Sequence, residues 1–300
     1  MNVITCHQLT KTHGRKKALN GLNLSIEENT MTGLIGRNGA GKTTLLKIMA
    51  GFWKKTAGDV RVLDKDPFNN LFVSANIIYV DDQLGFPNTL RLKEILEQGK
   101  RFYRQWDMAF AQRLFDYFQF DPRDIHEHLS KGRKSTFNMI FGLASRSPIT
   151  LFDEPTTGMD LATRKDIYRV LLRDYMAYPR TIIISSHHLN EIENILENVL
   201  LVDRGKDMLH RSIDELKTYA RQVSGNTALV MQWAQDVNII HQEHQYDDFA
   251  FVVVENNLST AKWNQAKQLG LTLSGVTPSD LCLYLTEQKQ GGIDHVLHYN

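Results

Sequence analysis

The densest chemistry in the chain lies in one run: Gly36, Arg37, Asn38, Gly39, Ala40, Gly41, Lys42, Thr43 and Thr44. It matches the pattern G-x-x-x-x-G-K-[ST] at every specified position. Glycines let a backbone curl so that successive N–H groups converge on an anion. The Lys42 ammonium can then reach the outer phosphates of a nucleotide, and the Thr43 hydroxyl can ligate Mg²⁺. A second concentration of chemistry is the carboxylate pair Asp153-Glu154, which ends the run Ile149-Thr150-Leu151-Phe152. Carboxylates at the C-terminal end of a strand lie where α/β sheets bind ligands. There Asp153 can hold Mg²⁺ through its water shell, and Glu154 can orient and deprotonate an attacking water. These residue types predict a nucleoside triphosphate site.

The surrounding elements fit that site. Met31-Thr32-Gly33-Leu34-Ile35 reads as a short strand entering the glycine-rich loop, and Thr43 to Met49 as a helix leaving it. Ahead of them, residues 2–30 read as short antiparallel strands around a turn containing His13. Asn76-Ile77-Ile78-Tyr79-Val80 reads as a buried strand that stops at Asp81-Asp82-Gln83. Residues from about 89 to 118 have a helical pattern and are rich in aromatics, which predicts a helical subdomain core. Ser130 is a good N-cap for the helix that follows, where the helix N-terminus and Gly132 offer a second anion position. Thr181 to Ser186 is another buried strand, with His187 just past its end. Strands alternating with helices predict an α/β fold with a parallel sheet.

Composition changes near residue 211, where a helix starting at Ser212 is followed by a tail read as strand-rich. Ala228-Leu229-Val230-Met231 and Phe249 to Val254 are its strand candidates. His241-Gln242-Glu243-His244 has metal-ligand residue types without supporting context, and reads as solvated loop; so do His126, His128, His295 and His298. The formal charge of +1 argues against a broad nucleic-acid surface. Cys6 and Cys282 show no metal-type spacing and read as reduced thiols. The apolar runs are strand-sized, too short to span a bilayer.

The order of these features resembles the ATP-binding subunit of an ABC transporter, from about residue 2 to 217 and more weakly to Leu285. The resemblance implies a P-loop cassette over residues 1–210, with a parallel core sheet, an N-terminal antiparallel β subdomain and an inserted helical subdomain at about 86–148. Residues 211–300 become a small α+β accessory region. By resemblance, Gly36 to Thr44 are the Walker A loop, and Asp153 and Glu154 the Walker B aspartate and catalytic glutamate. Asp160 is the D-loop aspartate and His187 the switch histidine. Ser130-Lys131-Gly132-Arg133 is the signature that faces the ATP of a second subunit. Lys131 and Arg133 stand where glycine and glutamine are usual, and would add cations there. Asp82 falls on the Q-loop position and Gln83 one later, so either would be the Mg²⁺ contact. His13 stands where an aromatic ring stacks on adenine.

The family's properties imply ATP and Mg²⁺ as cofactors, head-to-tail pairing with a second ATP-binding subunit, and a separately encoded transmembrane permease. They also imply a peripheral location at the cytoplasmic face of the membrane. Finer details resemble export-type two-component systems. The competing classes are a soluble, non-transport ABC ATPase and a low-turnover regulatory subunit. Ribosome-acting relatives usually carry two cassettes, and this chain has one phosphate loop.

Overall fold

The computed structural model describes residues 1–245 and 248–287. It divides into two compact units, Met1–His210 and Arg211–Asn300.

The first unit opens with β1 (Asn2–His13) and β2 (Lys16–Glu27), an antiparallel pair. Strand β3 (Met31–Ile35) leads through the glycine-rich loop into α1 (Lys42–Met49). Then come β4 (Ala57–Val62), α2 (Leu71–Asn76) and β5 (Ile77–Val80). Three helices follow: α3 (Leu92–Phe102), α4 (Met108–Tyr117) and α5 (Lys131–Ser145). The unit closes with β6 (Ile149–Asp153), α6 (Leu161–Ala177), β7 (Thr181–Ser186), β8 (Asn198–Asp203) and β9 (Lys206–Ser212).

Two sheets result. One is antiparallel, in the order β2-β1-β4. The other has the order β5-β6-β7-β3-β8-β9, and its first five strands run parallel. Helix α1 is short for a helix stable on its own, so packing must hold it. It buries Leu45, Leu46, Ile48 and Met49 in a cluster with Leu22 and Leu24 of β2, Val60 and Val62 of β4, and Ile149 and Leu151 of β6. Full burial of each such side chain contributes about 1.5–3 kcal/mol. The helix behind the phosphate loop is thereby fixed by both sheets.

The aromatic segment forms a subdomain core, as its composition predicts, around Phe115, Phe120, Phe137 and Phe141. The predicted helical stretch is two helices, because Asp107 accepts a hydrogen bond from the Phe110 N–H at 2.8 Å and starts α4. His126 does not lie in a solvated loop. It is buried beside Phe86 and Phe137, with Nε2 at 2.8 Å from Asn138 Oδ1. Burial pushes its pKa below the usual histidine range. His128 is exposed, as expected.

The second unit contains α7 (Ile213–Tyr219), β10 (Ala220–Asn226), α8 (Thr227–Ala234), β11 (Ile239–Gln245), β12 (Phe249–Glu255), α9 (Thr260–Gln268), β13 (Thr272–Gly275) and α10 (Pro278–Thr286). From β10 to β13 it is a β-α-β-β-α-β unit with antiparallel order β11-β12-β10-β13, the split βαβ arrangement. Two readings change here. Residues Ala228 to Met231 are helix, not strand, because the Asn226 side chain accepts from the N–H groups of Ala228 and Leu229 and caps α8. His241 to His244 lie in strand β11. There His241 Nδ1 donates to Glu287 at 2.7 Å, and its ring stacks on Tyr284 with centroids 4.0 Å apart. His295 and His298 lie outside the described residues.

Candidate functional site: a phosphate loop facing paired carboxylates

The loop between β3 and α1 curls through Gly41, whose φ is +112°. A Cβ at Gly41 would lie 2.6 Å from the Ala18 carbonyl oxygen, so any side chain there clashes with β2. Lys42 is buried, and its ammonium donates to the Gly36 carbonyl at 2.6 Å. The same ammonium lies 3.3 Å from Glu154 Oε1. Glu154 Oε2 accepts a hydrogen bond from His187 Nδ1 at 2.9 Å. Lys42, Glu154 and His187, far apart in sequence, therefore form one chain of contacts. Parallel pairing explains it: β3 and β6 both flank β7, so their C-terminal ends share one edge.

A cavity of about 400 Å³ runs along the loop. Arg37 to Thr44 line it together with Glu154, and His13 forms part of its wall. So does Trp53, which the sequence did not single out; its ring stands edge-on to His13, with centroids 5.0 Å apart. A second cavity, of about 330 Å³, is lined by Thr43, Asp81, Asp82, Gln83, Asp153, Glu154 and His187 among others. Both candidates for the Q-loop contact thus face the same space as Thr43 and Asp153. Thr43, Asp82, Gln83 and Asp153 supply oxygen donors suited to a hard cation. No cluster of three or more His, Cys, Asp or Glu side chains able to hold a metal occurs among the described residues. That sparse set suits Mg²⁺, which keeps several waters and binds substrate phosphates through one or two protein carboxylates.

Asp153 is held by groups that local sequence does not reveal. Tyr79 donates to Oδ2 at 2.9 Å, and Ser185 donates to Oδ1 at 2.5 Å. Ser185 Oγ also accepts from the Glu154 N–H at 2.9 Å.

The residues read from the sequence as the signature lie elsewhere. Ser130, Gly132 and Arg133 line a separate cavity of about 260 Å³ with Gly158, Asp160 and Thr163. Ser130 Oγ caps α5, accepting from the Arg133 N–H at 3.4 Å. Asp160 caps α6, accepting from the Thr163 N–H at 2.9 Å and its hydroxyl at 2.7 Å. Those hydrogen bonds hold its carboxyl below the usual carboxylate range. A Cβ at Gly132 would lie 2.3 Å from the Gly158 carbonyl oxygen, so this position excludes every side chain. The two added cations are engaged within the chain. The Arg133 guanidinium donates to the Gln119 carbonyl at 2.9 Å and lies 4.3 Å from the centroid of the Phe120 ring. Lys131 Nζ sits 3.4 Å from Asp82 Oδ2.

Residues 19–157 match the ABC transporter family. The chain is 27% identical over 241 residues to the ABC transporter ATP-binding protein YtrB of Bacillus subtilis, covering 80% of each protein. It is 26% identical to the bacitracin transport ATP-binding protein BcrA of Bacillus licheniformis, covering 80% of this chain and 83% of that one. It is 28% identical to the high-affinity zinc uptake ATP-binding protein ZnuC of Bacillus subtilis, covering 72% of this chain and all of the relative. A solved dimeric ATP-binding cassette, bound to ADP and Pi after hydrolysis, superposes with a TM-score of 0.61 at 21% identity, over 70% of this chain and 98% of that one. The chain carries an ABC transporter ATP-binding domain. It is an ATP-binding subunit of an ABC transporter and an ABC-type ATP hydrolase.

Proposed function

We propose that this subunit drives an exporter by pairing head to tail with a second ATP-binding subunit, on a separately encoded permease. One observation carries the catalytic part: Lys42, Glu154 and His187 meet at the edge of the parallel sheet beside the phosphate loop. In this reading ATP lies along the loop. The Glu154 carboxylate takes a proton from the attacking water as its oxygen bonds to the γ-phosphorus and ADP departs. Lys42 compensates the growing phosphate charge. His187 holds Glu154 and reaches toward the γ-phosphate. Mg²⁺, held by Thr43, Asp153 and Asp82 or Gln83, would neutralise phosphate charge. The separation of Ser130 and Asp160 into their own cavity supports a composite site, each half supplied by a different subunit.

The bacitracin-transport relative covers 80% of this chain, against 72% for the zinc-uptake relative, which favours a transporter of the former kind. No helix among the described residues is long and apolar enough to cross a membrane. On fractionation, the subunit should sediment with membranes only when its permease is co-expressed. Tight membrane binding without a partner would contradict the two-component arrangement. Vesicles carrying both proteins should move substrate outward on ATP addition; inward movement would reverse the proposed direction.

The His13 ring is assigned to the adenine. His13→Ala should weaken ATP binding by about 1 kcal/mol, through lost stacking, and His13→Tyr should restore it. Titration with a fluorescent ATP analogue measures this, and parental affinity in the alanine variant would remove the ring from the base site.

A further inference from the structure

Both carboxylate oxygens of Asp153 are engaged by buried hydroxyls, those of Tyr79 and Ser185. Strand register explains the geometry. Ser185 is the direct cross-strand partner of Asp153 between β6 and β7. Tyr79 is the partner of Leu151 between β5 and β6, and Leu151 lies two residues before Asp153, hence on the same face.

The tyrosine is itself fixed. The Phe52 ring meets its edge with centroids 5.5 Å apart, and the Lys47 ammonium lies 5.7 Å from its centroid. Lys47 in turn pairs with Asp81 at 3.7 Å. A tyrosine phenol is protonated at neutral pH, and toward an ionised carboxylate it can act only as the donor.

We infer that Tyr79 and Ser185 are positioning residues for Mg²⁺ binding: together they fix the rotation of the Asp153 carboxylate toward the cavity it lines. A carboxylate oxygen has two lone pairs, so one hydrogen bond to each leaves both with acceptor capacity. A side chain held in its binding orientation loses less freedom when the cation arrives. Ser185 couples this to the neighbouring group, because the same hydroxyl oxygen that donates to Asp153 accepts the Glu154 N–H. The inference rests on the reading of Asp153 as the carboxylate on the Mg²⁺ side.

Tyr79→Phe tests it, because the variant keeps the ring and its packing against Phe52 and Lys47 while deleting the hydroxyl. Mn²⁺ is titrated by electron paramagnetic resonance into the full chain with a non-hydrolysable ATP analogue bound. The expected result is Mn²⁺ affinity weakened about five- to tenfold, a share of one charge-assisted hydrogen bond. Binding of the analogue in EDTA should stay within about twofold of parental. Ser185→Ala should weaken Mn²⁺ in the same direction, and Asp153→Asn should weaken it more than either. Parental Mn²⁺ affinity in Tyr79→Phe, with Asp153→Asn weakened, would overturn the positioning role while leaving the metal reading intact. Parental affinity in Asp153→Asn as well would overturn both. An equal loss of analogue binding in EDTA would also overturn the inference, since the defect would then be general.

Discussion

Glu154→Gln is expected to abolish steady-state ATP hydrolysis while preserving ATP binding. Deleting a general base typically costs about 10²–10⁴-fold in rate. The geometry makes the substitution a clean probe. Glutamine keeps the shape of the side chain, and the backbone N–H that anchors residue 154 to Ser185 is untouched. What disappears is the negative charge that now faces Lys42 at 3.3 Å. The variant should therefore accumulate as an ATP-bound dimer, visible as an ATP-dependent shift in size-exclusion chromatography. Turnover near the parental rate would remove Glu154 from the base role and leave His187 as the nearest alternative, 2.9 Å away.

The second large effect concerns the composite site. Lys42→Ala should disable one chain's phosphate loop and leave its signature whole. Ser130→Arg should do the reverse, by filling the phosphate position with a bulky side chain. Either variant alone should be nearly inactive, because every site of its homodimer contains one defect. Mixed under conditions of chain exchange, the two should recover activity. In a mixed dimer one site combines the intact loop with the intact signature, and the other carries both defects. With random pairing half the dimers are mixed, so about a quarter of parental activity is the ceiling for independent sites. Demonstrated exchange without recovery would mean that both sites must fire together or that Ser130 does not act across the interface. Ser130→Ala, which removes the hydroxyl without adding bulk, separates these outcomes.

The sequence makes the catalytic ends of strands legible and leaves their neighbours hidden. The phosphate loop is a contiguous run with fixed glycine positions, so its chemistry is local and can be read directly. Asp153 and Glu154 are visible because an apolar strand ends on them. Tyr79 and Ser185 look like ordinary strand residues; their roles come from parallel pairing between segments 74 and 32 residues from Asp153. Trp53 is hidden for the same reason, since only the fold brings it beside His13. In the second unit, a four-residue apolar run suits either a helix or a strand, and the Asn226 cap decides it. Strand β11 is mostly polar, so alternation gives it no apolar signature. His126 reads as a loop histidine because its burial depends on Phe86 and on Asn138 of the following helix, neither adjacent to it in sequence.

The contact between Gly132 and Gly158 has a mechanical consequence. Most helix contacts run through side chains, which turn between rotamers and soak up small displacements. Here backbone rests on backbone, with the position of a Cβ at Gly132 only 2.3 Å from a carbonyl oxygen. Nothing at that point can rotate out of the way. A displacement at the start of α5 would therefore pass to the turn between Glu154 and Asp160 through backbone alone. In the proposed mechanism, the start of α5 in the helical subdomain thus abuts the turn that follows the proposed base, Glu154.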